Sequence, residues 1–280
     1  MRGASTLNEG ISKLSYRMGK ASAASAVARL KLSYTGLQQA FLVGVCGGVP
    51  KTHDGVDIML GDVIIGKTIV QYGFGKKYPD KFVRKFAFKE SFGAQKKDTQ
   101  SILAMIETIR GRDKIRRTAT KFLSRLKLKA AEHGYGAKYV YTGLAKDELF
   151  EPSYRHKHHK PLHCICKDCR EPTSPVCDEA INTSCNELGC NTKYLVPRFI
   201  SMNRQGQERV ESDGAQILAI HVGSIASGDT VMKSGVDRDR IAEREGIIAF
   251  EMEAAGIWEE IPCIVLKGVS DYADSHKQSD

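Results

Sequence analysis

The segment 246–274 constrains the fold more than any other. Gly246-Ile247-Ile248-Ala249 runs into Phe250-Glu251-Met252-Glu253-Ala254-Ala255-Gly256, and Pro262-Cys263-Ile264-Val265-Leu266-Lys267-Gly268-Val269 runs into Ser270-Asp271-Tyr272-Ala273-Asp274. Apolar runs of this length read as buried strands, here 246–250 and 262–268, with a helix over 252–260 between them. Such a β-α-β unit favours parallel strands with the helix on one face. Each run ends in carboxylates. Ligands of open α/β sheets sit beyond the C-terminal strand ends, so acids at both ends suggest a polyol held beside a proton donor.

Upstream, Ala40-Phe41-Leu42-Val43-Gly44-Val45 reads as a short buried strand broken by Cys46-Gly47-Gly48-Val49-Pro50. A glycine pair at a strand end lets backbone N–H groups approach a ligand, and a tight turn needs the same residues. Leu60-Gly61-Asp62-Val63-Ile64-Ile65 is a turn entering a strand. Gln216 to His221 forms another, ending in Gly223-Ser224-Ile225-Ala226-Ser227-Gly228-Asp229. Residues 11–32 and 98–131 read as helices. In the second, Ile102, Met105, Ile106 and Ile109 form a core-facing stripe, and the charged segment 237–245 begins a surface helix.

The 280 residues, 41% of them hydrophobic, suffice for a substantial core. No uninterrupted apolar stretch has the length of about 18 residues needed to span a membrane. The N-terminus has no continuous apolar h-region, which reads against a classical secretion signal. Residues 11–30, Ser/Ala-rich and basic, have the composition of an Ala-rich helix or of a mitochondrial transit segment; the expected location is cytoplasmic, with the nucleus as an alternative. Of a net charge of +9, the excess lies between Lys76 and Lys129, where 17 Lys/Arg face 5 Asp/Glu. A solvated helical face, a field attracting phosphorylated small molecules and a nucleic-acid surface all fit that charge. Without stacking aromatics or a known module, nucleic acid is the weakest of the three.

Residues 152–197 differ from the rest. His156, His158, His159 and His163 precede Cys164, Cys166, Cys169, Cys177, Cys185 and Cys190, in a segment whose Pro, Asn, Thr and Ser keep regular structure low. Thiolate and imidazole are the usual ligands of structural zinc, and a loop poor in apolar residues needs a staple. Were zinc held here, His163, Cys164, Cys166 and Cys169 would be its ligands, since the Cys166-x-x-Cys169 spacing suits one half of a site. Reduced, unliganded thiols and disulfides are the other readings. The organisation expected is one domain over 1–280 with this segment as an insertion.

The terminal acids have two readings each. Glu251 and Glu253 either stabilise a helix N-terminus or accept vicinal hydroxyls, with Met252 as an apolar wall. Asp271 and Asp274 can share protonation so that one donates near neutrality, and Asp271 stands nearer the strand end; Asp274 alternatively caps a helix. Protonating a heterocyclic leaving group lowers the barrier to N-glycosidic cleavage by making the departing base neutral.

FLVGVCGGVP (41–50), LGDVIIGK (60–67), IASGDTVMK (225–233), GIIAFEMEAAGI (246–257) and CIVLKGVSDYADSHK (263–277) together resemble the purine nucleoside/uridine phosphorylase superfamily. That superfamily includes the methylthioadenosine/S-adenosylhomocysteine nucleosidases, and the chain is most similar to the fungal phosphorylase-like domains. EMEAAG with SDYAD is the specific part. The resemblance implies an α/β, three-layer phosphorylase-like fold, with a central mixed, largely parallel sheet flanked by helices. It also implies cleavage of the ribose–base bond of a purine nucleoside or nucleotide, by phosphorolysis or hydrolysis, the alternative being an inactive binding or signalling module on the same fold. Asp271 would protonate the purine ring and Ser270 precedes it in the same motif. Met252 and Glu253 would hold the ribose, Glu253 through its hydroxyls, and Glu251 would support the base side. Cys46 and Gly47 would line the ribose or nucleophile side, and Asp229 and Val231 the base pocket. No cofactor is implied beyond inorganic phosphate as co-substrate, and many members are homo-oligomers. The family's opening strand is not legible ahead of FLVGV, nor its closing helix after SDYAD.

Overall fold

The computed structural model describes residues 18–85, 97–136, 147–159, 163–171, 173–198 and 218–276. Residues 11–17, Gln216 and Ile217, on which parts of the expected elements fall, lie outside them. Strands β1 (Ala40–Gly48), β2 (Val63–Gln71), β5 (Ile220–Ser227), β6 (Ile247–Glu251) and β7 (Cys263–Asp271) form one sheet; β3 (Gly75–Lys77) and β4 (Phe82–Arg84) form a separate hairpin. The helices are α1 (Lys20–Ser33), α2 (Lys97–Glu107), α3 (Ile109–Glu132), α4 (Asp178–Asn182), α5 (Cys185–Leu188), α6 (Gly235–Glu245) and α7 (Ala254–Trp258).

The main sheet closes on itself as a five-stranded barrel in the order β1-β6-β5-β2-β7. This overturns the expected three-layer architecture with a largely parallel central sheet flanked by helices. Closure comes from β1, which pairs in parallel with β7 along its length and antiparallel with β6 at Gly47 and Gly48. Strand β2 completes the ring, parallel to β5 and antiparallel to β7. Register shifts at Cys46/Gly47, Gly66/Thr68 and Ser224/Ile225 bend three of the strands, and such bulges increase local twist and allow a sheet to curl. The interior is tight: a Cβ at Gly66 would stand 2.9 Å from Ile225 Cδ1 and 3.1 Å from Val265 Cβ. Periodicity identifies strands, but pairing partners of this kind are not written in it.

Two local expectations change with the barrel. Strands β6 and β7 are not neighbours, because β1 lies between them, antiparallel to one and parallel to the other. The run before Pro50 does not stop at Cys46, since Gly47 and Gly48 stay in β1.

Helices α1 and α7 pack on one side of the barrel, where Ala23, Val27, Ala254, Ile257 and Trp258 join Leu42, Ile64, Val265 and Val269. Helix α6 covers Ile247 and Phe250 with Ile241, and α2 covers Ile65 and Ile264 with Leu103 and Ile106. The single helix expected over 98–131 breaks at Thr108, whose hydroxyl accepts the Gly111 N–H at 2.9 Å as N-cap of α3. The buried face of α2, on Thr99, Leu103 and Ile106, is also offset from the expected stripe. Ile106 is buried, Leu103 replaces its expected partners, and Met105 and Ile109 are exposed.

The Cys/His-rich segment leaves and rejoins the fold at one place. Phe150 and Leu195 form an isolated antiparallel bridge, Val196 N–H donates to Leu149 O at 2.8 Å, and Glu151 N–H donates to Tyr194 O at 2.9 Å. Its own apolar core is small, consisting of Cys166, Ala180 and Leu188 with partly buried cysteines and Val176 around them.

Candidate active site

A cleft of about 460 Å³ opens where β1, β6 and β7 end and the segment after β5 passes over them. Its lining includes Cys46, Gly47, Val231, Met252, Glu251, Glu253, Ser270 and Asp271. Residues far apart in the chain, Glu253 and Asp271 among them, thus face one cavity. Asp229 is not in the lining: its carboxylate accepts the Lys20 backbone N–H at 3.1 Å and pairs with Lys20 Nζ at 3.1 Å, at the N-terminus of α1.

The two glutamates are not equivalent. Glu251 is buried, and its oxygens accept the backbone N–H groups of Glu253 and Ala254 at 3.0 Å, at the start of α7. It also pairs with Lys267 Nζ at 3.0 Å. Glu253 is better exposed, and Lys267 Nζ reaches it at 3.1 Å. Glu251 therefore serves as the junction's scaffold, and Glu253 is the acid that presents itself to the cleft. Lys267 is a residue of the cleft's lining that sequence reasoning missed. Reading β7 as a buried strand gave no reason for a cation within it, although a lysine in an otherwise apolar run was the available signal. Burial lowers the affinity of Lys267 for its proton, but the charges of Glu251 and Glu253 outweigh this and hold the ammonium above its usual range.

Asp271 accepts the Ala273 N–H at 2.7 Å and pairs with Lys233 at 3.6 Å. Ala273 has φ 51°, so the chain turns sharply after the acid. Gly47 permits this approach. A Cβ there would lie 2.9 Å from Asp271 Oδ1 and 2.8 Å from Ala273 Cβ. Ser270 Oγ donates to Cys46 O at 3.3 Å, linking β7 to β1 beside the cleft. The Cys46 thiol is pushed up to about 12, chiefly by burial, so Cys46 is a wall and not a nucleophile. Asp274 is not part of the cleft's lining. It is buried against Arg238 at 3.7 Å and accepts the His276 N–H at 2.9 Å.

The metal-type residues assemble into two groups, each with its donor atoms within 4.8 Å of one another: His158, Cys164, Cys166 and Cys177, and separately His156, Cys185, Cys190 and His276. Either group has the donor chemistry to hold a metal ion. The expected set of His163, Cys164, Cys166 and Cys169 does not come together as such. His163 is exposed, and Cys169, at the end of a 3-10 turn over Ile165–Asp168, directs its sulfur to Ser174 O at 3.8 Å. Cys177, which caps α4, takes that place, with Cys166 Sγ and Cys177 Sγ 3.8 Å apart. His158 Nδ1 lies 3.6 Å from Cys164 Sγ and 3.4 Å from Cys177 Sγ. All eight cysteines are free of disulfides.

Comparisons with known proteins give the following. No family model matches the chain. A nucleotide-binding leucine-rich repeat (NLR)-like protein of Hyaloscypha variabilis is 26% identical over 93% of this chain, which spans only 22% of that protein's length. Among solved structures, the 5'-methylthioadenosine/S-adenosyl homocysteine nucleosidase of Helicobacter pylori is 14% identical, with 92% of this chain and 66% of that one covered and a TM-score of 0.41. The futalosine hydrolase of the same organism is also 14% identical, covering 92% and 65%, with a TM-score of 0.39. The likeness to these two structures is distant and partial. Among the described residues no helix is long and apolar enough to cross a membrane.

Proposed function

We propose that the cleft binds a purine nucleoside or nucleotide and cleaves its N-glycosidic bond. The observation that carries this reading is the meeting of Glu253 and Asp271 in one cavity at the ends of two different strands. Glu253 accepts hydrogen bonds from the ribose hydroxyls, each charge-assisted contact being worth about 1.5–3 kcal/mol. Met252 packs on the sugar, and Val231 and the neighbouring segment enclose the base. Asp271 gives its proton to a ring nitrogen as the C–N bond breaks; the bonding pair leaves with the base, which departs neutral. Inorganic phosphate, or water that gives up a proton to the Asp271 carboxylate, then forms the new C–O bond at the anomeric carbon. General acid assistance of this kind contributes about 10²–10⁴-fold.

The motif resemblance supports this reading, as does the apolar, half-enclosed character of the cleft. The finer affiliation, to fungal phosphorylase-like domains within that superfamily, stands on the motifs alone, as does the single-domain organisation with its insertion. In the insertion, we assign His158, Cys164, Cys166 and Cys177 to a structural zinc. Zinc commonly takes such a Cys₃His set, and the segment's own apolar core is too small to hold it together.

A second reading, a module that binds the same ligand without cleaving it, is favoured by one observation: each of the two carboxylates already holds a lysine, Lys267 on Glu253 and Lys233 on Asp271. Incubating the chain with a panel of purine nucleosides and nucleotides, with and without phosphate, separates the two. Free base in the product supports cleavage, and a requirement for phosphate identifies phosphorolysis. Ligand-induced thermal stabilisation without any base released supports the binding module and overturns cleavage.

A further inference from the structure

The second Cys/His group differs from the first in what it connects. His156, Cys185 and Cys190 belong to the insertion, but His276 lies five residues beyond Asp271, on the loop that leaves β7. We propose that these four residues hold a second zinc ion, which fastens the insertion to the Asp271 loop and so positions the cleft's acid. The metal site stands on its own geometry; only its consequence for Asp271 rests on the reading of the cleft given above.

The geometry fits a tetrahedral ion. With zinc–sulfur bonds of about 2.3 Å and zinc–nitrogen bonds of about 2.0–2.1 Å, sulfur and nitrogen ligands lie about 3.6 Å apart on the edges of the tetrahedron. Cys185 Sγ stands 3.5 Å from His156 Nδ1 and 3.6 Å from His276 Nδ1, and Cys190 Sγ stands 3.7 Å from His156 Nδ1. Two thiol protons account for two of these three approaches, whereas one cation among the four atoms accounts for all of them. Two sulfurs and two imidazoles select zinc over harder divalent ions. His156, Cys185 and His276 are buried and Cys190 half-buried, the closed surroundings of a structural site.

The outer contacts orient the rings as metal ligands require. His156 Nε2 is 3.0 Å from Thr183 O, and His276 Nε2 is 3.1 Å from Tyr154 O. Each backbone carbonyl accepts a hydrogen bond from an Nε2–H, which leaves each Nδ1 lone pair facing the sulfurs; second-shell partners fix metal-bound histidines in this way. The local fold presents the cysteines too. Ser184 and Glu187 form a capping box at the start of α5, where Cys185 sits, and Gly189, in the left-handed region at φ 69°, returns the chain so that Cys190 faces it.

The consequence reaches the cleft through a short, rigid path. His276 N–H holds Asp274, Arg238 donates to Tyr272 O at 2.8 Å, and Ala273 N–H holds Asp271. The His276 ring stacks on Phe150 at 4.1 Å, at the base of the insertion. A metal bond at His276 anchors the far end of this path.

The test uses the full chain. Zinc analysis of purified protein, and titration of metal-depleted protein with cobalt(II), should give about two ions per chain, falling to about one in Cys190→Ser and in His276→Ala. The remaining cobalt should keep the absorption of a three-thiolate site, which also shows that the variants are folded. His276→Cys should restore the second ion with stronger sulfur-to-cobalt absorption. Hydrogen exchange of the 266–276 backbone should be at least about tenfold faster in His276→Ala than in wild type and recover in His276→Cys. Metal content unchanged by Cys190→Ser and His276→Ala overturns the site. Loss of one ion with unchanged exchange over 266–276 overturns the positioning role. Neither readout depends on base release, so an inactive cleft leaves both standing.

Discussion

Lys267 sets the electrostatics of the cleft, since one buried ammonium serves two glutamates. Replacing it with methionine strands Glu251 as a buried anion, and such broken pairs cost about 3–5 kcal/mol. Chemical denaturation of Lys267→Met should show a loss of that order. The pH dependence has a definite sign. The Lys267 ammonium is held above its ordinary 10.5 in the folded protein, so its contribution is fully present below the unfolded value and is lost as pH rises through the folded one. Wild-type stability should therefore fall on the alkaline side of 10.5, and Lys267→Met should lack that component. At Glu253, the neutral isostere Glu253→Gln keeps the shape but loses charge-assisted bonds to hydroxyls. Nucleoside affinity by calorimetry should drop about 10- to 100-fold, the equivalent of roughly 1.5–3 kcal/mol. The sequence made both acids legible, because each followed an apolar run. It did not separate their roles: only the folded chain shows that Glu251 spends its oxygens on α7 and on Lys267.

Among the elements, the junction of β1 with β7 matters most. Gly47 lets the two strands and the Asp271 turn approach, and any side chain there meets backbone as well as side-chain atoms of Ala273. Gly47→Ala should cost about 1–3 kcal/mol by overpacking, read as a lower thermal midpoint, and should weaken nucleoside binding because Asp271 is what must yield. The strands themselves were largely visible as apolar runs, and β6 and β7 lie close to their expected bounds. Their pairing was not visible. A β-α-β pattern implies parallel neighbours as a rule, yet here β1 inserts between them and the sheet curls through three register shifts. Helix α2 gave a second lesson at this scale. Apolar spacing carried straight through Thr108, but the hydroxyl cap there restarts the helix at Ile109, which is exposed, while α2 itself buries Thr99, Leu103 and Ile106.

At the scale of the whole molecule, a barrel carrying its cleft at the strand ends is joined to a Cys/His-rich segment with little apolar core of its own. The segment's cysteines were evident in the sequence, but their grouping was not, because His276 comes from a distant loop and Cys177 replaces Cys169 through a helix cap. Because metal binding adds to folding free energy, a strong chelator should lower the thermal midpoint and added zinc should restore it, with no such response in a chain lacking cysteines 164, 166, 177, 185 and 190. The account as a whole turns on Asp271 acting as proton donor to a departing base. The direct measurement is base release from a bound purine nucleoside, in single turnover, by wild type and Asp271→Asn, with affinity measured alongside. Release slower by about 10²-fold or more, with affinity retained, is expected of a lost general acid. Release by Asp271→Asn at the wild-type rate contradicts the account.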